Sequence, residues 1–317
     1  MNTAAAPPPI AGSPVDPPPA SVAALVEKID QRSRVAGIGY RVMRRYSHAN
    51  AGLLASGTAY FMFLSLFSLL AFAYGAIAFV GADELAATLT EAVSEALPGL
   101  VGEEGIDPEQ LRSTGKAAGV VGLVMLLYSG LGAVGGASSS LHLIFGAPPD
   151  PRNFVRAKLR HAGILLAVAP LMVLSFAATS VTSELAQPLL ELVGLDSGIA
   201  LRMVSVAAFL LGFAADVLII WVLIGHLGGI RPHRRPRLIA SLVGGVAIGL
   251  IKALLEAIVA WSLAKPQYGA FAAPLAVLFV LSLLATVLYA SGAIAAGISD
   301  RDVPLADLPP TPVDTVG

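Results

Sequence analysis

The chain has no cysteine and carries little charge. Only 13% of its 317 residues are charged, whereas an ordinary globular protein has about 25%. The absence of cysteine excludes disulfides, thiolate metal sites and cysteine nucleophiles. The net charge of −1 is uninformative by itself, so the distribution of the charges carries the information.

Motifs of several enzyme classes are also missing. The five histidines are scattered along the chain, and no HExxH pair offers two metal ligands on one helix face. The sequence has no Gly-x-x-x-x-Gly-Lys-Ser/Thr loop to bind nucleotide phosphates, and no Gly-x-Ser-x-Gly turn to present a serine nucleophile. We therefore expect no enzymatic activity, no metal and no cofactor.

Six long apolar runs fill most of the chain. Hydrophobic residues make up 56% of the sequence, and the mean hydropathy is +0.78. Each run reaches the roughly 20 residues that a helix needs to cross about 30 Å of hydrocarbon. The pattern predicts an all-α, polytopic bundle of six transmembrane helices, at about residues 53–80, 117–145, 162–183, 201–225, 238–263 and 271–298.

The basic residues lie mainly on one side of the predicted spans. The N-terminal segment, the gaps at 146–161 and 226–237 and the C-terminal tail together hold fifteen Lys and Arg residues, and the gaps on the other side hold four. Basic residues near span ends are retained on the cytoplasmic side. The asymmetry therefore predicts that both termini are cytoplasmic.

The six spans are predicted to form one membrane domain, residues 21–298, between two disordered tails. Residues 1–20 contain two Pro-rich stretches that cannot form a packed core. Residues 299–317 are predicted to form the second tail.

Two amphipathic helices are predicted outside the spans. One runs from Ser21 to about Tyr46, and its basic side is expected to lie at the inner membrane surface, although the same charges also serve to fix topology. The other lies in the acidic gap at 81–116 and has an apolar stripe at Leu85, Leu89, Val93 and Leu97. This external helix either caps the bundle or serves as a lid or a docking element for a partner.

Three charged residues fall inside the apolar runs. Asp216 lies in the fourth span, and Lys252 and Glu256 lie in the fifth, four residues apart and so on one helix face. A charge at the bilayer centre costs at least about 2.5–3.5 kcal/mol, so such groups face the bundle interior and pair. We expect a polar cluster of Asp216, Lys252 and Glu256, which is either a brace between two spans or a substrate or proton site.

The second span is rich in glycine and serine. Small residues let helices pack closely, and glycine-rich membrane segments also unwind where they line a cavity. Both interpretations stay open from the sequence. The candidate cavity-lining residues are Tyr128, Gly130, Gly132, Gly135, Gly136, Ser138 and Ser139, together with Tyr60 and Ser65 of the first span.

Arginines in the predicted cytoplasmic gaps are candidate contacts for anionic lipid head groups: Arg152, Arg156, Arg231, Arg234 and Arg235. The orientation rule explains these clusters without nucleic acid. We therefore expect membrane lipids as partners and no nucleic acid, and leave open a membrane-protein partner or a homo-oligomer.

Two segments resemble the YihY/BrkB family of bacterial inner-membrane proteins. The first span matches the family's Ala-Tyr-Phe-x-x-x-Ser-Leu-Phe signature at Ala59–Phe61 and Ser65–Phe67, and Ser68 stands where the family usually has proline. The last span matches at Tyr268, Gly269, Gly292 and Ala293, and Ile230–Pro232 fits the family's basic cluster between the fourth and fifth spans. The resemblance implies an all-helical, multi-pass protein of the inner membrane.

The family's members have carried three labels: ribonuclease BN, a virulence factor, and a protein of envelope lipid export. A nuclease needs metal-binding carboxylates or histidines in close array, and the short cytoplasmic gaps here are dominated by arginine. We therefore expect a transporter or a lipid-handling protein of the cell envelope. The alternative is a scaffold that transports nothing and binds a partner.

Overall fold

The computed structural model describes residues 34–96, 115–147, 154–180, 198–227, 232–263 and 272–300. Within these ranges the chain is entirely helical and has no strand. Eight helices are described there: α1 (Arg34–His48), α2 (Ala51–Val80), α3 (Asp83–Ala96), α4 (Gly115–Phe145), α5 (Phe154–Ser180), α6 (Gly198–His226), α7 (Arg234–Leu263) and α8 (Ala272–Ser299). The tail predicted over 1–20 lies outside the described residues, and of the tail predicted over 299–317 only Ser299 and Asp300 are described.

Six of these helices are long and apolar enough to cross a membrane, which confirms the prediction of six long apolar helices. The candidate spans are Ala51–Val80, Ala117–Phe145, Val155–Ser175, Arg202–His226, Arg234–Leu255 and Pro274–Ser299. The helices of the third and fifth spans, α5 and α7, begin earlier than the predicted residues 162 and 238, at Phe154 and Arg234. Arg, Lys and Ala have high helix propensity, so these helices extend through their basic flanks.

Helix α4 is unbroken across its glycine- and serine-rich part and packs tightly against α2. A Cβ on Gly75 would overlap the backbone of Gly119, and a Cβ on Gly122 would meet the backbone nitrogen of Phe72 at 2.5 Å. Small side chains let the two helix backbones come this close. Of the two interpretations of the second span, the structure therefore has close packing, and a broken helix does not occur within the described part of α4.

Helix α8 occupies the centre of the bundle. It packs against α1, α2, α4, α6 and α7. Tyr289 on α8 is fully buried, and its hydroxyl lies 2.5 Å from the hydroxyl of Thr58 on α2. Around it the core is aliphatic, with Leu141 and Ile144 of α4 and Ile220 of α6 nearly inaccessible.

Helix α1 docks on the end of α8. A Cβ on Gly297 would meet the backbone nitrogen of Val42 at 2.8 Å, so the two helices are in backbone contact. Arg41 is 3% exposed and Arg44 is 5% exposed, whereas Val35 is 79% exposed. The expectation that the basic side of this helix faces lipid is thus wrong for Arg41 and Arg44, because the glycine of α8 draws that side of α1 into the bundle. Residues 21–33 of the predicted helix lie outside the described residues.

An ion pair joins α1 to the residue that follows α8. The Arg45 Nε donates to Asp300 Oδ2 at 2.6 Å, and both side chains are largely buried. We expect Asp300→Asn to lower the free energy of unfolding by about 1.5 kcal/mol, since the acceptor loses the negative charge that strengthens this hydrogen bond. Denaturant melts in detergent check this. Arg45→Gln should lower the free energy of unfolding by a similar amount. The double variant Asp300→Asn/Arg45→Gln should lose no more than either single variant. If the two single losses simply added in the double variant, a direct ion pair would be contradicted.

Helix α3 lies against the end of α2. Ala86 is buried, Val93 packs near Leu70, and the Thr90 hydroxyl lies 2.8 Å from the Tyr74 hydroxyl. Leu85, predicted to lie on the apolar stripe, is instead 58% exposed, because the packed face is centred on Ala86, Thr90 and Val93. Leu97 lies outside the described residues.

Candidate functional site

An ion pair links α6 and α7 inside the apolar part of the bundle. The Lys252 ammonium lies 2.8 Å from each carboxylate oxygen of Asp216. The side chains are 12% and 4% exposed, respectively. Asp216 lies about 15 Å from the end of α6 at His226, taking about 1.5 Å per residue. Two residues that the sequence predicted to meet are therefore brought together, well inside the candidate spans.

Ser175 of α5 completes the cluster and was not predicted from the sequence. Its Oγ donates to Asp216 Oδ1 at 2.5 Å and lies 3.4 Å from the carbonyl oxygen of Gly212. Lys252 donates to the same Oγ. A Cβ on Gly212 would lie 3.3 Å from the Ala178 Cβ, so this glycine permits the close approach of α5 and α6. The cluster, defined here as Ser175, Asp216 and Lys252, thus joins three candidate spans.

Each polar group of the cluster is matched by another. The ammonium has three acceptors, both carboxylate oxygens and the serine hydroxyl, and the carboxylate accepts from both neighbours. Burying one of these charges alone would cost several kcal/mol, about 3–5 kcal/mol in measured cases. Because the ammonium and the carboxylate neutralise each other, the Asp216–Lys252 pair adds no net charge to the interior and avoids this cost. Glu256, the third predicted member, lies in α7, and its side chain is not among those that the structure describes.

Within the cluster Lys252 donates to the Asp216 carboxylate and to the Ser175 hydroxyl, and the Ser175 hydroxyl donates to Asp216. The geometry is that of an ion pair bridged by a hydroxyl, which can stabilise a helix contact or exchange a proton or a polar ligand group.

The glycines predicted to line a cavity lie at helix contacts, and of the four only Gly132 also lines a groove. A Cβ on Gly132 would meet the Phe61 ring at 2.8 Å, and one on Gly130 would lie 3.8 Å from Leu165. A Cβ on Gly135 would touch the His161 ring, and one on Gly136 would touch the Thr58 hydroxyl, each at 3.8 Å. These four positions therefore bring α2, α4 and α5 together.

The other predicted cavity residues are divided between the surface and the interior. Tyr60 is 58% exposed and Tyr128 is 64% exposed, and Ser139 is exposed as well. Ser65 donates to the Phe61 carbonyl oxygen at 2.7 Å within its own helix, a common way for a helical serine to satisfy its hydroxyl. Ser138 is buried and donates at 2.6 Å to the carbonyl oxygen of Leu227.

An open groove of about 410 Å³ runs between α2, α4 and α5. It was not predicted from the sequence, because its walls come from three separate helices. Two of the predicted cavity residues, Tyr128 and Gly132, line it, and its remaining lining residues are Phe61, Leu127, Leu131 and Lys158.

The predicted head-group arginines are only partly described. Arg156, Arg234 and Arg235 are exposed at the ends of α5 and α7, and Arg152 and Arg231 lie outside the described residues. Two other arginines in the same basic flanks, Arg160 and Arg237, contact the protein itself.

Arg160 and Arg237 bind the C-terminal end of α6. Arg160 donates to the Leu227 carbonyl oxygen, and the Arg237 Nε donates to that of Trp221 at 2.9 Å. The Arg237 guanidinium also lies 4.1 Å from the centre of the Trp221 ring. Leu227 follows the last residue of α6, so its carbonyl has no intrahelical partner. Both guanidinium groups also lie near the negative end of the helix dipole.

Among the described residues, no group of three or more His, Asp or Glu side chains is placed to hold a metal ion. The family model described as virulence factor BrkB matches residues 42–314 of the chain. Curated proteins give no match to the chain, and solved structures give none either.

Proposed function

The chain belongs to the virulence factor BrkB family, and from that premise we propose that it is a transporter or lipid-handling protein of the bacterial inner membrane and not an enzyme. One observation carries this proposal: the Ser175–Asp216–Lys252 cluster lies within the candidate spans and joins three of them. Ionisable residues inside transmembrane segments are costly, and they commonly mark ion, proton or substrate pathways.

The cluster supports a mechanism in which α5, α6 and α7 change their contacts during transport. Separating Lys252 from Asp216 would expose a cation and an anion to the interior, and a polar or charged substrate group could take the place of one partner. In the proposed cycle, an arrangement with both side chains of low exposure would be the closed state. Substrate sites of many transporters lie at comparable depth, near the middle of the bilayer.

Lipid is the proposed substrate class because of the surface around the bundle. Exposed arginines, Arg156, Arg234 and Arg235, lie at the helix ends that the charge asymmetry assigns to the cytoplasm. A surface of this kind attracts anionic head groups, each basic residue contributing about 1 kcal/mol. We propose on the same grounds that both termini are cytoplasmic, that α3 lies outside the cell, and that no nucleic acid is bound.

The rival proposal is a scaffold that transports nothing. In that case the cluster is only a brace, and α3 is available to a partner, since Leu85 on its outer side is 58% exposed. The two proposals differ in whether the folded protein moves lipid.

Lipid movement in reconstituted vesicles tests the proposal. Purified protein is placed in vesicles that contain a trace of fluorescent phospholipid, and the fraction reduced by external dithionite is followed over time. We expect at least a tenfold faster exchange between leaflets than in vesicles that hold an unrelated six-span protein at the same density. Glu84→Gln, a change of an exposed residue on α3, should match the wild type. A rate equal to that of the control vesicles would overturn the proposal.

A further inference from the structure

The groove between α2, α4 and α5 has the chemistry of a lipid-binding site. Its walls are formed by Phe61, Leu127, Tyr128 and Leu131, and Lys158 is the charged residue among the six that line it. We propose that this groove binds one acyl chain of an anionic phospholipid and that Lys158 binds the phosphate of its head group. The inference rests on the proposed function, because it names the class of lipid and the place where that lipid first meets the protein.

One wall position of the groove has no side chain. Gly132 faces the Phe61 ring, and a Cβ there would meet the ring at 2.8 Å. The ring therefore packs directly against α4, and Tyr128 packs edge-on against it with the ring centres 6.2 Å apart. The site is built from an aromatic wall and a glycine floor, and its volume of about 410 Å³ lies within the roughly 300–1,000 Å³ of small-ligand sites.

The groove opens sideways from the bundle. Leu127 and Tyr128 are 55% and 64% exposed, and both lie in the middle of a candidate span, Ala117–Phe145. An opening at that level faces hydrocarbon in a membrane, so acyl chains are the molecules present there in greatest number. A groove of about 410 Å³ has the size of a small-ligand site, which favours a lipid chain over a partner helix.

The position of Lys158 sets the preferred head group. It lies near the N-terminus of α5, in the basic flank that also holds Arg156 and Arg160. An ammonium at the end of an apolar groove attracts the negative phosphate of a lipid whose chain lies in that groove. A zwitterionic lipid carries its own cation beside the phosphate and gains less from this lysine. The groove therefore favours anionic over zwitterionic phospholipids.

Fluorescence quenching by brominated lipids measures occupancy of the groove. Tyr128→Trp places a reporter on its rim, and the signal of the parent protein, with its two native tryptophans, is subtracted. Bilayers contain either brominated phosphatidylglycerol or brominated phosphatidylcholine as the quencher. We expect quenching by both and an affinity about fivefold higher for phosphatidylglycerol, which corresponds to about 1 kcal/mol from one basic residue.

Two variants decide the assignment. Lys158→Gln should reduce the preference for phosphatidylglycerol to about one, whereas Arg202→Gln, an exposed basic position on α6 that does not line the groove, should leave it above threefold. An unchanged preference in Lys158→Gln would overturn the role of Lys158. Equal quenching of the Tyr128→Trp reporter by the two lipids, with Lys158 in place, would overturn the anionic specificity. No quenching by either lipid would overturn the whole proposal, because something other than lipid would then cover the groove.

Failure of this inference is distinguishable from failure of the proposed function. The quenching experiment measures binding in a bilayer at equilibrium and requires no transport. If lipid exchanges between leaflets without preferential quenching, the proposed function stands and the groove is not its lipid site. If quenching is preferential without lipid exchange, the lipid site stands and the proposed transport is refuted.

Discussion

Asp216→Asn is expected to remove most of the folded protein. The substitution removes the negative charge that lies 2.8 Å from the Lys252 ammonium, whose side chain is only 12% exposed. Removing one partner of a buried ion pair costs about 3–5 kcal/mol. The yield of monodisperse protein in detergent and its unfolding temperature measure the effect.

Restoring neutrality should restore stability. In Asp216→Asn/Lys252→Gln two amides replace two charges of similar size, and both amides can bond to each other and to Ser175. We expect the double variant to recover more than half of the loss. Glu84→Gln serves as the control for a carboxylate changed to an amide on an exposed surface. If the single variant Asp216→Asn were as stable as the wild type, the direct ion pair would be refuted.

Gly75→Val is expected to have the second large effect, because it forces α2 and α4 apart. Even the Cβ of an alanine at this position would overlap the Gly119 backbone, and a backbone cannot rotate away as a side chain can. Overpacking a close contact costs about 1–3 kcal/mol and sometimes more, and we expect a loss near the upper end, about 3 kcal/mol. Denaturant melts in detergent measure it.

A matched glycine on the same helix separates this clash from the general effect of adding a side chain. Gly57 is exposed on α2, and a Cβ there would meet nothing within 4 Å. Gly57→Val should therefore leave the unfolding transition within about 0.5 kcal/mol of the wild type. Equal losses at the two positions would mean that the backbones of α2 and α4 are not in contact.

The six long helices were predictable because their signal is local. A run of about 20 apolar residues has few alternatives to a membrane helix, and the glycines of the second span carried the signal for close packing. The residues at which these helices begin and end were less predictable. Arg156 and its neighbours break the apolar pattern, although they continue the helix at α5, since a helix requires backbone hydrogen bonds and not apolar side chains.

The contact between Asp216 and Lys252 was predictable from the free-energy cost of a charge inside a membrane, because two opposite charges within apolar spans have few other partners. Ser175 was not predictable, since a serine in an apolar helix can satisfy its hydroxyl within its own helix. Serines in the third apolar run were the available signal, but which of them faces Asp216 depends on helix rotation. The burial of Arg41 and the groove at Phe61 depend likewise on how separate helices pack, which a single sequence does not encode locally.

The most direct test of the central claim is the lipid exchange rate of the stable double variant Asp216→Asn/Lys252→Gln. If the charges of the cluster take part in transport, this variant, compared with the wild type at equal amounts of folded protein, should exchange lipid between leaflets at less than a tenth of the wild-type rate. A rate equal to that of the wild type would contradict the account and would leave the cluster as a brace between helices.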